Sequence, residues 1–255
     1  VREGREECNQ TRALGVLLRA CEALAYAHSK GVIHRDLKPS NIMVGRYGEV
    51  FVMDWGLARV LDRKDMHDVR IRSQAAAPSG EEPAPNGDPG AGAPLVTMEG
   101  DVLGTPAYMA PEQAAGQLDR IGPASDVYAM GAILYQLITG RMPYVNLRER
   151  IENHVLLERV KEGPPARVSS LVSDAPPELV AICEKAMSRE PGARYADMSA
   201  LAEDLSAFLE HRVVSAYRTG ALAELRKWVE RNKALAGSMA ASVLALVAGM
   251  GASWL

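Results

Sequence analysis

The stretch His34-Arg35-Asp36-Leu37-Lys38-Pro39-Ser40-Asn41 decides how this chain of 255 residues is read. It gathers a histidine, two cations, a carboxylate and an amide into one loop. Upstream, Leu14, Leu17, Leu18, Cys21, Leu24 and His28 recur at helical spacing, which predicts an amphipathic helix over roughly Thr11 to Ser29, ended by Gly31. Downstream, the apolar runs Ile42-Met43-Val44 and Val50-Phe51-Val52-Met53 flank the turn Gly45-Arg46-Tyr47-Gly48 and read as a small hairpin. Asp54-Trp55-Gly56 follows, with Asp54 thirteen residues after Asn41. Taken singly, Asp36 or Asp54 reads as a turn residue or a helix cap. The weight lies in the joint pattern.

Farther out, from about Leu61 to Glu99, the character changes, and Gln74 through Pro94 is dominated by Ala, Pro, Gly and Glu without an apolar period. A disordered insertion over about 61–100 is expected there. Gly104-Thr105-Pro106-Ala107-Tyr108-Met109-Ala110-Pro111-Glu112 comes next. Ser125 to Gly140 is apolar on nearly every side and predicts a helix buried all round. Further helices are expected near Leu147–Glu162, Pro177–Met187 and Ser199–His211, the last capped by Asp197 or Ser199.

With 24% charged and 47% hydrophobic residues the chain can bury a sizeable core. A net charge of −3 gives no basic footprint, so no nucleic-acid partner is expected. Cys8, Cys21 and Cys183 are scattered and odd in number, which fits buried thiols better than disulfides or a zinc site. His28, His67, His154 and His211 show no ligand spacing and read as surface or packing residues. Ala234 to Leu255 holds no charged residue over 22 positions. At ~1.5 Å per residue it is long enough to cross a hydrocarbon core of ~30 Å. Arg226, Lys227, Arg231 and Lys233 precede it, and Trp228 and Trp254 lie near its ends. The expectation is a single-pass membrane protein whose folded domain stays on the cytoplasmic side. The alternative is a core helix of a further domain. The spaced small residues Ala241, Ala245 and Gly249 are compatible with helix pairing, hence with a homodimer.

The loop from His34 to Asn41 resembles the catalytic loop of protein kinases, with histidine, arginine, aspartate and asparagine in register. Asp54-Trp55-Gly56 is similar to the family's D-F-G, with tryptophan in place of phenylalanine, and Gly104–Glu112 looks like the substrate-binding loop ending in A-P-E. The resemblance is to eukaryotic-type serine/threonine kinases, in particular bacterial receptor-like ones. It implies an α+β kinase fold, of which this chain holds the mainly helical C-terminal lobe with a small hairpin. It implies ATP and Mg2+ as co-reactants and protein serine or threonine hydroxyls as substrates. The roles follow the general kinase template: Asp36 orients or accepts the hydroxyl proton, Lys38 offsets phosphoryl charge, and Asn41 and Asp54 hold the metal. Thr105 is expected to bond to Asp36 and Lys38, and Met43 to lie under the adenine ring. His34, Trp55 and Gly56 are structural, as are Asp126, expected to bind backbone groups near His34 and Arg35, and the ion pair Glu112–Arg194. Arg35 and Thr97 are the regulatory candidates, a phosphorylated Thr97 pairing with Arg35.

The chain opens on Val1 within a charged helical pattern and has no signal peptide, no G-x-G-x-x-G and no V-A-I-K-type lysine upstream of the loop. It is therefore read as N-terminally truncated, with the small lobe absent, and as inactive in isolation. The expected domains are a kinase C-terminal lobe at 1–212, a basic juxtamembrane linker at 213–233 and a transmembrane helix at 234–255. A pseudokinase acting as a binding or scaffold module is the alternative, disfavoured because Asp36, Lys38, Asn41 and Asp54 are all present.

Overall fold

The computed structural model describes residues 3–61, 106–147 and 149–217, with side chains from residue 10 on. Helix α1 (Glu3–Ser29) buries Leu14, Leu17, Cys21 and Leu24 along one stripe. It begins before the expected Thr11, because its first turns are built from charged residues that form helix readily without an apolar period. Gly31, at φ 73°, turns the chain into β1 (Val32–Ile33). After the loop come β2 (Ile42–Val44), β3 (Val50–Val52) and β4 (Arg59–Val60).

β2 and β3 form the expected antiparallel hairpin, with Ile42 opposite Val52, Met43 opposite Phe51 and Val44 opposite Val50. β1 pairs antiparallel with β4, Val32 opposite Val60. On the hairpin, Ile42, Val50 and Val52 pack on the core, whereas Met43 and Phe51 face away, 48% and 46% exposed.

The remaining helices are α2 (Pro111–Ala114), α3 (Pro123–Thr139), α4 (Asn153–Glu162), α5 (Val168–Leu171), α6 (Pro177–Ala186) and α7 (Met198–Leu209). α3 starts on Pro123 and stops at Gly140, whose φ of 67° supplies the left-handed cap. Every residue from Ser125 to Tyr135 is buried, with α1, α6 and α7 packed around it. α7 is capped by Asp197, whose carboxylate accepts from the Ala200 N–H at 2.8 Å.

α4 starts at Asn153 rather than near Leu147. The residues before it are tied by side chains instead. Glu149 accepts from the Asn146 N–H at 3.0 Å and receives two bonds from the Arg159 guanidinium. Such local side-chain bonding competes with helix formation. Cys21 and Cys183 are free and buried, and burial pushes both thiols up.

The described part is thus mainly helical with two small antiparallel sheets. Among the described residues no helix is long and apolar enough to cross a membrane. The expected insertion lies outside the described residues from position 62 on, the linker from position 218 on, and the expected span Ala234–Leu255 entirely.

Candidate active site

Asp36 sits in the loop between β1 and β2, held from three directions. The Lys38 ammonium donates to its Oδ2 at 2.7 Å. The Asn41 amide nitrogen donates to the Asp36 carbonyl at 2.7 Å and more weakly to Oδ2 at 3.3 Å. The Asp36 N–H donates to His34 Nδ1 at 3.3 Å. Asn41 closes a single 3₁₀ turn begun by Pro39, which brings its side chain back over Asp36. With its nitrogen committed, the Asn41 amide oxygen accepts no hydrogen bond among the described residues.

Asp54 is fixed to this loop through its neighbour. The Met53 N–H donates to the Asn41 carbonyl at 2.7 Å, and His34 Nε2 donates to the Met53 carbonyl at 2.9 Å. His34 therefore spans both loops, and its ring lies 4.7 Å from that of Trp55, tilted by 56°. Trp55 in turn donates to the Val52 carbonyl at 2.9 Å. Asp54 has φ 62°, a left-handed conformation that is uncommon for a residue with a side chain, and Gly56 follows close behind its carboxylate.

Arg35 is the second such residue, at φ 68°. Its peptide is gripped on both sides. Asp126, on the first turn of α3, accepts from the His34 N–H at 2.8 Å and the Arg35 N–H at 2.9 Å. Gln113, on α2, donates to the Arg35 carbonyl at 3.0 Å. The Arg35 Nε–H donates to the Leu57 carbonyl at 2.7 Å. A strained backbone persists only where its surroundings over-determine it, and here they do.

Beneath the loop, the buried guanidinium of Arg194 grips Glu112 with two bonds of 2.7 Å and also donates to the carbonyls of Ser188, Arg189 and Ala124. Ser125 adds a 2.7 Å bond to Glu112. Burial alone would raise the Glu112 carboxyl, but the bonds and charge of Arg194, with Ser125, hold it below the usual carboxylate range.

The family model for the protein kinase domain matches residues 4–82 and 86–206, most of the chain. This chain belongs to the protein kinase family. The chain is also similar to a serine/threonine-protein kinase PknD of Protochlamydia amoebophila, 37% identical over 202 residues that make up 77% of this chain and 18% of that protein. A PknD of Chlamydia caviae is 32% identical over 211 residues, 80% of this chain and 20% of its own length. One of Chlamydia pneumoniae is 31% identical over 201 residues, 77% and 19%. The chain spans a fifth or less of the length of these relatives.

The structure brings together Asp36, Lys38, Asn41, His34, Arg35, Asp126 and the Asp54-Trp55-Gly56 turn. Glu112 and Arg194 form one buried pair. Met43 lies on the outward face of the hairpin. Thr105 and Thr97 lie outside the described residues.

Two participants escaped the sequence reading. His28, read as a surface or packing residue, donates from Nε2 to Asp126 Oδ2 at 2.8 Å and is the third donor on that carboxylate. The signal was its place on the apolar stripe of α1, where an exposed histidine has no reason to stand. Gln113 had no comparable signal, since its contact with Arg35 is made across 78 residues of sequence.

Among the described residues no group of three or more His, Cys, Asp or Glu side chains is placed to hold a metal. Magnesium bound with a nucleotide needs only one or two carboxylates, because phosphate and water oxygens complete its shell. The Asp54 carboxylate and the spare Asn41 amide oxygen are hard donors that fit it.

Proposed function

We propose that this chain carries the catalytic machinery of a protein serine/threonine kinase that transfers the γ-phosphoryl group of ATP to serine and threonine hydroxyls of other proteins. The observation that carries the reading is the state of Asp36. Its carboxylate is paired with Lys38 at 2.7 Å and steadied by Asn41, in a loop bonded to the residue preceding Asp54.

Phosphoryl transfer asks the protein for positioning and charge stabilisation rather than covalent chemistry. Asp36 orients the attacking hydroxyl and takes its proton. Lys38, already beside that carboxylate, faces the charge of the migrating group. Asn41 and Asp54 hold magnesium through oxygen. When bound, the metal neutralises phosphate charge and fixes the phosphate geometry. Met43 supports the adenine ring, and Thr105 bonds to Asp36 and Lys38. The strained Arg35 peptide, clamped by Asp126 and Gln113, keeps Asp36 aimed without reorganisation at the moment of reaction.

The full-length protein tests the assignment. Asp36→Asn should lower kcat for phosphorylation of a protein substrate by about 10²–10⁴-fold. The thermal midpoint and the KM for ATP should stay near those of the parent. Retention of full transfer by this variant would remove Asp36 from the reaction.

The stretch Ala234–Leu255 is proposed as a membrane span that leaves the kinase domain in the cytoplasm, supported by its length and its basic flank. In sealed, cytoplasmic-side-in vesicles, added protease should leave the kinase domain intact. Digestion of that domain would reverse the orientation.

A further inference from the structure

Gln113 is 2% exposed and occupies the third position of α2. Its Oε1 accepts from the Ala110 N–H at 3.2 Å, and its Nε2 donates to the Arg35 carbonyl at 3.0 Å. A backbone N–H only donates and a carbonyl only accepts, so these partners leave the amide a single orientation. Reaching back to the N–H that precedes a helix is an ordinary capping role for a glutamine at this position. It accounts for the Oε1 end alone. The Nε2 end leaves the helix for a carbonyl 78 residues earlier in the chain.

That carbonyl belongs to the peptide joining Arg35 to Asp36. The two peptides before it are held by Asp126 through the His34 and Arg35 N–H groups. The Arg35–Asp36 peptide has Gln113 on its carbonyl at 3.0 Å and His34 Nδ1 on its N–H at the longer distance of 3.3 Å. Its plane turns on the bond to the Asp36 Cα, the atom from which the carboxylate side chain departs, and on its other side Arg35 stands at φ 68°. Gln113 is itself well anchored. Its neighbour Glu112 is gripped by Arg194 with two bonds of 2.7 Å, which fastens α2 to the buried base.

We infer that Gln113 is a positioning residue for phosphoryl transfer: it locks the end of the Gly104–Glu112 loop to the Arg35–Asp36 peptide, so that the loop read as holding the acceptor also sets the direction of Asp36. The inference rests on the reading of Asp36 as the group that orients the acceptor hydroxyl. Gln113 acts through the Arg35 carbonyl and not by touching a reacting atom. The proposed metal-holding residues are fixed by other bonds, Asn41 to the Asp36 carbonyl and the Met53 N–H to the Asn41 carbonyl. Loss of the link therefore falls on the transfer step and spares the affinity for ATP.

Steady-state kinetics on the full-length protein test this, with magnesium and ATP and with myelin basic protein as acceptor at pH 8. Gln113→Glu keeps the volume and the bond from Ala110 but sets an oxygen against the Arg35 carbonyl. Gln113→Met keeps the length and offers neither bond. Both variants should lose about tenfold or more in kcat, as a misaimed reacting group does, with the KM for ATP unchanged. Circular dichroism at the assay temperature gives the folded fraction, to which kcat is referred. Parental kcat in folded Gln113→Glu removes the link to Arg35 and overturns the inference, while the kinase reading stands. A kcat that falls only in proportion to the folded fraction, or two variants that do not fold, assigns Gln113 to the fold alone and overturns it as well. A rise in the KM for ATP that accounts for the loss places Gln113 with the nucleotide and again overturns it. No transfer by the parent, to the acceptor or to itself, overturns both readings.

Discussion

At the scale of single residues, the polar groups under the loop are the ones whose removal costs most. Arg194 is almost wholly buried, and its guanidinium serves Glu112 and three carbonyls. Arg194→Ala leaves a carboxylate buried without its counter-charge. Unfolding free energy from urea titration should fall by about 3–5 kcal/mol. The same pair sets a pH dependence. The folded state holds the Glu112 carboxyl below its ordinary value of 4.5, so the folded protein binds fewer protons than the unfolded chain in that region. Its contribution is complete above that value and is lost as pH falls through the lower, folded value. Glu112→Gln should therefore be less stable than the parent at pH 7, with the gap narrowing as the solution is acidified. A gap that widens in acid would contradict the pairing. The sequence showed Glu112, Arg194 and Asp126 because a family pattern holds them at recognisable distances. It hid Gln113 because a neutral amide has no pattern of its own until the fold brings it to Arg35. His28 stood between these cases: its position on the apolar stripe was visible, and its carboxylate partner was not.

At the scale of elements, α3 is the post on which the others lean, and its approach to α6 is close. A Cβ at Gly131 would stand 2.7 Å from Ala186 Cβ and 2.9 Å from Met187 Cγ. In an exposed helix, glycine to alanine is worth about 1 kcal/mol in favour of alanine. Here the flexible Met187 side chain can yield, but the Ala186 methyl is fixed to its backbone. Overpacking costs of about 1–3 kcal/mol should win. Gly131→Ala should lower the thermal midpoint, and an increase would show that the two helices separate easily. Elements of this kind were legible where one physical signal dominates. Apolar residues on all sides marked α3, and two apolar runs around a glycine turn marked β2 and β3. α4 was placed too early because the Glu149 side chain takes the Asn146 N–H and pairs with Arg159. Helical periodicity cannot reveal that kind of competition.

At the scale of the molecule, α1 packs on the hairpin and on α3, and α6 and α7 pack on α3 in turn, so that the loop carrying Asp36 and Asn41 is set on a helical base. The account stands on Asn41 and Asp54 acting together on a metal-bound nucleotide beside Asp36. Isothermal titration of the full-length protein with ATP, with and without magnesium, addresses this directly when the parent is compared with Asp54→Asn. The parent should bind ATP more tightly with magnesium than without it. Asp54→Asn should lose most of that magnesium-dependent gain while its unfolding midpoint stays close to the parent's. Equal magnesium dependence in the two proteins would contradict the account.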